Sequence, residues 1–558
     1  MNEGKGLYFR ENPEILYEVK AQGGGLKDKE TLRCKGWRQE TILRMLEFNM
    51  ENAEIPELLV IYGGNGKCAR NWESYWAIVD SLKNLEDDET LVVQSGMPVA
   101  IFKTHKEAPV VVMATTNIMQ ATWERFYDLQ DKNLTIFAQY TAAPWEYIGT
   151  QGVIEGTFET LSAIAMKKFN DDLSGKIYLT AGAGGMGANQ TWAMKMHGGV
   201  CIVVDVNEKT MKKRIEKDYL DIIASSLEEA IRIAKENSKA KKPISIGVVG
   251  NAADMYEKIL ASDFRPDICS EMCPCHDPIS YIPSGYTAEE ADKLRIENRE
   301  KYLHLARETM KRQLAAMVAL KTDGVEVFEY GTSIRKECMD AGFPREEAMK
   351  IKGFVAEYIR PLFCEGRGPF RWTCLSRDPE DLKVSEDIAL EICKGDKLVE
   401  RWINLARKNL PIEGMPARIC YMGFGERKRF GLAINQAIKD GRIKGTVAFS
   451  RDNLDSGSIV NPTFESENMP DGGDYISDWP YLNALLDCAA GCDLIAIQQN
   501  YSMGEAVHTG VTMIADGTEE ADRRLAACLT TDSGIGVIRH AQAGYKSAKD
   551  VAHGKGKF

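Results

Sequence analysis

Lys176-Ile-Tyr-Leu-Thr-Ala-Gly-Ala-Gly-Gly-Met-Gly187 decides the fold: an apolar strand runs into Gly182-x-Gly184-x-x-Gly187, and residues 188–196 read as the helix that follows. Glycines there let backbone amides approach a pyrophosphate at the positive end of that helix, where aligned peptide dipoles favour negative charge. The next apolar run, residues 200–204, ends in Asp205, 18 positions past the last glycine. An acid at that place accepts from a ribose 2′-hydroxyl and repels a 2′-phosphate, so the reading is NAD rather than NADP. A glycine pattern alone is weak, and its bland alternative is a structural βα turn. Strand, glycines, helix, strand and acid in that order are more specific.

Outward from this motif the chain alternates strands and helices from about residue 150 to 345. Ser226 with Glu229 reads as a capping box opening a helix over 227–234, and residues 243–249 read as a buried strand ending at Gly250-Asn251-Ala252. A short strand is expected around Ile268. The flanks differ in texture. Residues 30–148 mix helices with glycine loops, and residues 346–558 hold strands near 417–422, 446–449 and 494–497. The expectation is α/β: a Rossmann-like, doubly wound NAD-binding domain over 149–345, inserted into a discontinuous outer α/β domain of residues 1–148 and 346–558. Clefts between domains are favoured ligand sites.

At 558 residues the chain exceeds one ordinary core. Its apolar content of 44% and charged content of 27% are those of a globular protein. A formal charge of −12 argues against nucleic acid or anionic membrane as partner. No run approaches the roughly 20 apolar residues of a membrane helix, and the start lacks a signal-peptide core. Fourteen cysteines without a framework pattern read as reduced thiols in the cytoplasm. Cys269, Cys273, Cys275 and His276 are crowded, but no second pair stands at zinc spacing, so no metal is expected.

Other stretches carry chemistry. Tyr62-Gly63-Gly64-Asn65-Gly66 follows an apolar run; it is either a tight turn or a place where backbone approaches a ligand beside a phenol. Arg360, Arg367 and Arg371 stand among aromatics and glycines, suited to grip a carboxylate or to form internal ion pairs. Cys420 ends a strand near Gly423 and Gly425, where a packing role competes with a site role. Asp452 and Asp455 lie three apart after another strand, in a loop suited to capping or to proton transfer.

Together these segments resemble the urocanase (urocanate hydratase) family from about residue 30 onward. Cys34-Lys-Gly-Trp37, Tyr62-Gly-Gly64, Ala69-Arg-Asn-Trp72, Gly182 to Gly187, Asn251-Ala-Ala253 and His276-Asp-Pro278 come in that family's order. Phe328-Glu-Tyr-Gly331, 358–372, Ala417-Arg-Ile-Cys420, 451–458, Ser477-Asp-Trp-Pro480 and Gly536-Val-Ile-Arg-His540 continue it. The resemblance implies a hydro-lyase of histidine metabolism, a homodimer, whose tightly bound NAD+ is an electrophile toward the substrate's imidazole and not a redox reagent. By motif, Gly63, Gly64, Gln139, Gly185, Met186, Gly187, Asp205, Asn251, Ala252, His276, Tyr281, Ile282 and Tyr330 are similar to the family's NAD contacts. Cys420 matches its active-site cysteine, and Arg360 an arginine suited to the substrate carboxylate. Tyr62 and Asp455 are the proton-handling candidates.

The chain also departs from the pattern. Two histidines and a glycine run give way to Gln498-Gln499-Asn500-Tyr501-Ser502-Met503-Gly504, and the acidic loop carries Asn453 in place of histidine. Met272-Cys-Pro-Cys-His276 replaces the family's Gln-Thr-Ser-Ala-His, and Thr210 an arginine. Loss of titratable rings and gain of sulfur read as a pocket recut around another ring, with Gln498, Gln499 and Asn453 facing the substrate. A 2-thio or S-methylthio urocanate, from breakdown of thiol-histidines such as ergothioneine, is the simplest such substrate; ordinary urocanate is the alternative. A redox dehydrogenase and a non-catalytic NAD-binding sensor are rival readings. No histidine or lysine constellation suits hydride transfer, while the retained Cys420, Arg360 and Tyr62 argue against a sensor.

Overall fold

Strongly β-branched, unalternating runs such as Ile177–Ala181 and Val200–Asp205 bury side chains on both faces, the pattern of a parallel sheet covered by helices. The computed structural model describes residues 18–500 and 506–554. They form two compact units, one of residues 153–359 and one joining residues 18–152 to the described residues from 360 to 554.

The inner unit holds a seven-stranded sheet in the order Lys352–Gly353, Glu326–Glu329, Ile268–Cys269, Ile177–Ala181, Val200–Asp205, Ile244–Val249, Ile222–Ala224. Every pairing in it is parallel. Parallel strands deliver their carboxyl ends to one edge, so the loops carrying Gly182, Asp205, Asn251, Met272 and Tyr330 gather there. The helix Asn189–Met196 follows the glycine loop. Helix Leu227–Lys239 runs beyond the expected 234 and is capped by Ser226, whose hydroxyl accepts from the Glu229 amide at 3.2 Å. The Glu229 carboxylate closes instead on the Ser225 amide at 2.7 Å, one residue earlier than a capping box requires.

In the outer unit a nine-stranded mixed sheet runs Ala417–Met422, Gly368–Cys374, Val447–Arg451, Ala506–Ala515, Leu494–Asn500, Val111–Thr115, Glu89–Gln94, Met97–Lys103, with Ile459–Val460 also on Ala506–Ala515. Leu494–Asn500 lies parallel to Val111–Thr115, which ties the two chain segments into one sheet. Phe430 packs on Phe370, Trp372 and Phe449, forming an aromatic core on one sheet face. Among the described residues no helix is long and apolar enough to cross a membrane. The fourteen cysteines are free thiols, and Cys488 alone of them is exposed.

Candidate active site

The glycine loop is built by steric necessity at two positions and left open at a third. A β-carbon on Gly182, at φ +86°, would lie 2.4 Å from the Met272 carbonyl oxygen; one on Gly187 would lie 2.0 Å from the Gly182 oxygen. Both must be glycine for the loop to close on itself. At Gly184 a β-carbon meets nothing within 4 Å, so the protein's own packing does not demand glycine there. That open cradle fits the close approach of a pyrophosphate. Asp205 secures the loop: its carboxylate accepts from the Ala183 amide at 2.6 Å and the Asn207 amide at 2.7 Å. Burial raises its pKa, and the two amides oppose that shift. Gly185 and Met186 form the turn into the helix, with the Asn189 side chain on the Gly185 carbonyl at 2.7 Å. A cavity of about 650 Å³ opens at the ends of Ile222–Ala224 and Ile244–Val249, lined among others by Glu208, Lys212, Ser226 and Met255.

The same unit assembles most of the remaining cofactor candidates. Asn251 caps helix Ala252–Leu260 through the Ala253 amide at 3.0 Å and donates to the Ile282 carbonyl at 3.0 Å, so Asn251, Ala252 and Ile282 meet. The Tyr281 hydroxyl donates to Gln313 at 2.7 Å, and its carbonyl accepts from Tyr302. Tyr330 stacks on Phe354 at 4.5 Å and accepts from Thr157 at 2.7 Å. His276 is buried in the loop after Ile268–Cys269.

In the outer unit Gly63 and Gly64 both take positive φ, and Gly63 and Gly66 are pressed against Gln139: β-carbons there would come within 2.8 and 2.3 Å of it. The Gln139 Oε1 is buried with no donor among the described residues. Tyr62 stacks on Tyr147 at 4.5 Å, and its oxygen accepts from the Thr141 amide at 3.0 Å. Burial first, and then the charge of Asp452, push the Tyr62 phenol well above its ordinary pKa, so it keeps its proton.

The three arginines divide. Arg367 pairs with Asp396 and Glu365, and Arg371 with Asp452. Arg360, only 4% exposed, pairs with no carboxylate among the described residues. It donates to the Glu465 carbonyl at 2.7 Å, the Glu467 carbonyl at 3.1 Å and the Met469 sulfur, while its Nε has no acceptor. Arg539 is alike: it is buried against the backbone carbonyls of Ser456 and Ile459, its Nε lacks an acceptor, and its pKa is lowered to about 9 by burial and by the charge of Arg360. Two guanidiniums so placed favour an incoming anion.

A second cluster lies one residue away from Glu465, through Tyr140, whose hydroxyl donates to Glu465 at 3.1 Å. Asn453 Nδ2 donates to the Tyr140 carbonyl at 2.9 Å and to His508 Nδ1 at 2.8 Å. Gln498 Nε2 donates to the same carbonyl at 2.8 Å and lies 3.4 Å from His508 Nδ1. A carbonyl only accepts, so each amide must face it with nitrogen; Nδ1 of His508 is then an acceptor and its ring proton sits on Nε2. Burial and the nearby Arg451 charge depress His508 to a pKa of about 3, which keeps it neutral.

Asp455 and Gln499 are engaged elsewhere than expected. Asp455 is locked in a buried two-pronged pair with Arg427, at 2.6 and 3.1 Å, so it anchors its loop; the acid felt by Tyr62 is Asp452. Gln499 faces the sheet side opposite Gln498, since neighbours in a strand alternate, and it accepts from the Ile118 amide at 3.0 Å. Cys420 is fully buried opposite Phe370 on the sheet's edge strand. Tyr501 to Gly504 lie outside the described residues. Asp452 was read from sequence only as one of two acids in its loop, and His508, which joins the carboxamide cluster, was not singled out. His508 stands directly opposite Gln498 on the neighbouring antiparallel strand, a pairing that no single stretch of sequence spells out.

A parallel, glycine-looped unit and an outer unit with paired guanidiniums, a neutral phenol and oriented carboxamides define an α/β enzyme built on a nucleotide-binding fold. Comparison with protein families makes this specific. The urocanase N-terminal domain matches residues 26–146, the urocanase Rossmann-like domain residues 149–358, and the urocanase C-terminal domain residues 361–554. The chain belongs to the urocanase family, hydro-lyases that act on a small imidazole-acrylate. Among solved structures it is similar to the crystal structure of L-tryptophan dehydrogenase from Nostoc punctiforme, at 14% identity over 66% of this chain and 84% of that one, with a TM-score of 0.17. So slight a likeness carries no argument.

Proposed function

We propose that this enzyme adds water to an imidazole-acrylate whose ring carries sulfur, a 2-thio or S-methylthio urocanate, with bound NAD+ as its cofactor. The supporting observation is the pair Asn453 and Gln498, two buried carboxamides meeting at His508 where the family's pattern has titratable rings. Neutral amides in place of such rings alter which ring nitrogens the pocket accepts.

The open cradle at Gly184 and the Asp205-braced loop fit a dinucleotide. On the family motif Gly185, Met186, Gly187, Asn251, Ala252, His276, Tyr281, Ile282 and Tyr330 of the inner unit would hold it, and Gly63, Gly64 and Gln139 of the outer unit are cofactor candidates on the same ground. When bound, NAD+ supplies an electrophilic ring that draws electron density from the substrate's conjugated system. Arg360, backed by Arg539, holds the substrate carboxylate. Tyr62, neutral by burial, carries a transferable proton on its phenol oxygen, and Asp452, paired with Arg371, is the neighbouring carboxylate that receives or returns one. Cys420 stays a catalytic candidate on the family motif. A cytoplasmic homodimer is the working assembly, in keeping with the family resemblance and the free thiols.

The test is to incubate purified protein with urocanate, thiourocanate and S-methyl-thiourocanate, and to follow loss of each chromophore. The sulfur-bearing compounds should be hydrated faster, with NAD+ released on denaturation. Efficient hydration of urocanate alone would return the enzyme to ordinary histidine breakdown, the second reading, toward which the match to all three urocanase domains points.

A further inference from the structure

The cluster around Tyr140 leaves two atoms over. Asn453 Oδ1 and Gln498 Oε1 are fully buried acceptors with no donor among the described residues. Neither can be relieved by turning its amide. Rotation would set a carboxamide oxygen against the Tyr140 carbonyl and against the lone pair of His508 Nδ1, exchanging two good contacts for two repulsions. The oxygens are therefore fixed in place, and a buried acceptor without a donor is costly. A ligand that brings donors to them removes that cost.

We infer that Asn453 and Gln498 read two N–H groups on the substrate ring, and so select the cyclic thiourea (2-thione) form over an S-methyl imidazole. This rests on the sulfur-bearing reading above and sharpens it. A 2-thione carries hydrogen on both ring nitrogens. An S-methylthio imidazole, like neutral urocanate, carries hydrogen on one and a lone pair on the other, and that lone pair would face a carboxamide oxygen. Arg360 lies at the other end of the same chain of contacts, through Glu465 and the Tyr140 hydroxyl, where an acrylate carboxylate would end. Sulfur itself is not what the amides recognise; they count hydrogens.

The experiment compares kcat/KM of the wild-type enzyme for thiourocanate, S-methyl-thiourocanate and an N-methylated thiourocanate that keeps the thione but loses one N–H. Thiourocanate should exceed each of the others by about tenfold or more, the cost of one unsatisfied buried polar group. An N-methylated thione hydrated as well as thiourocanate, or an S-methyl compound hydrated better, would overturn the inference while leaving the sulfur reading intact. If only urocanate were hydrated, both would fall. Calorimetry gives a readout apart from turnover: imidazole-2-thione should bind more tightly than its N-methyl derivative. In Asn453→His, confirmed folded by circular dichroism, that difference should shrink; an unchanged difference counts against the assignment.

Discussion

The two units offer a ligand different kinds of group. The inner unit presents main chain: glycines at Gly182, Gly184 and Gly187, amides at Ala183 and Asn207, and a carboxylate that tightens them. The outer unit presents side chains: the guanidiniums of Arg360 and Arg539, the phenol of Tyr62 and the carboxamides of Asn453 and Gln498. Backbone recognition tolerates little change at the glycines and is indifferent to much else. Side-chain recognition can be recut one residue at a time without disturbing the sheet beneath, as the proposed reading of Asn453 and Gln498 requires.

The contrast can be broken most forcefully at Asp455. If it anchors the loop and Asp452 handles protons, Asp455→Asn strips a buried pair of one charge and should cost about 3–5 kcal/mol in urea unfolding. Asp452→Asn also unpairs a buried arginine, Arg371, and should cost stability too, but it alone should slow turnover of the folded enzyme. The reverse pattern would exchange their roles. Next comes Arg360→Met, expected to lower kcat/KM about a hundredfold, mostly through KM, because a buried charge-assisted grip is lost. An unaltered KM would make that arginine structural.

The glycines provide an internal control. Gly187→Ala forces a β-carbon to 2.0 Å from backbone oxygen and should destabilise the fold by about 2 kcal/mol or more. Gly184→Ala has free space and should melt like wild type, yet retain less NAD+ on purification. Normal cofactor content in Gly184→Ala would remove the cradle from the binding site. Cys420→Ala should fold with cofactor in place and turn over about tenfold more slowly, a modest loss on the scale of single-group contributions. Unchanged turnover would confine Cys420 to packing.

The smallest effect is a pH dependence. Burial raises the Glu271 carboxyl to about 8, and nearby Glu329 adds to the shift. Folded protein therefore keeps this proton up to that pH, while the unfolded chain loses it above its ordinary value near 4.5. Stability from this group is full at acid pH and declines as pH rises through that window. Glu271→Gln does not titrate, so between pH 6 and 7 its stability relative to wild type should rise by about 1 kcal/mol. A flat difference would mean that Glu271 ionises normally.

What was legible in the sequence follows the same division. The inner site is local: Gly182 to Asp205 and Asn251 to Ala252 each spell out strand, turn and helix in order, and the structure has those elements nearly where they were read. The outer site draws Tyr140, Arg360, Asn453, Gln498 and His508 from positions far apart, brought together by pairings such as Gln498 with His508 that no short window contains. Family resemblance pointed at Arg360, but spacing could not tell Asp452 from Asp455. That choice depends on which acid Arg427 captures after the turn.

Tyr140 is gripped at both ends, its peptide oxygen by two carboxamides and its phenol by Glu465, whose own peptide oxygen steadies Arg360. One residue thus serves as a gauge block between the carboxamide pair and the Arg360 guanidinium. A shift at either is felt by the other, so the spacing between them cannot drift by halves.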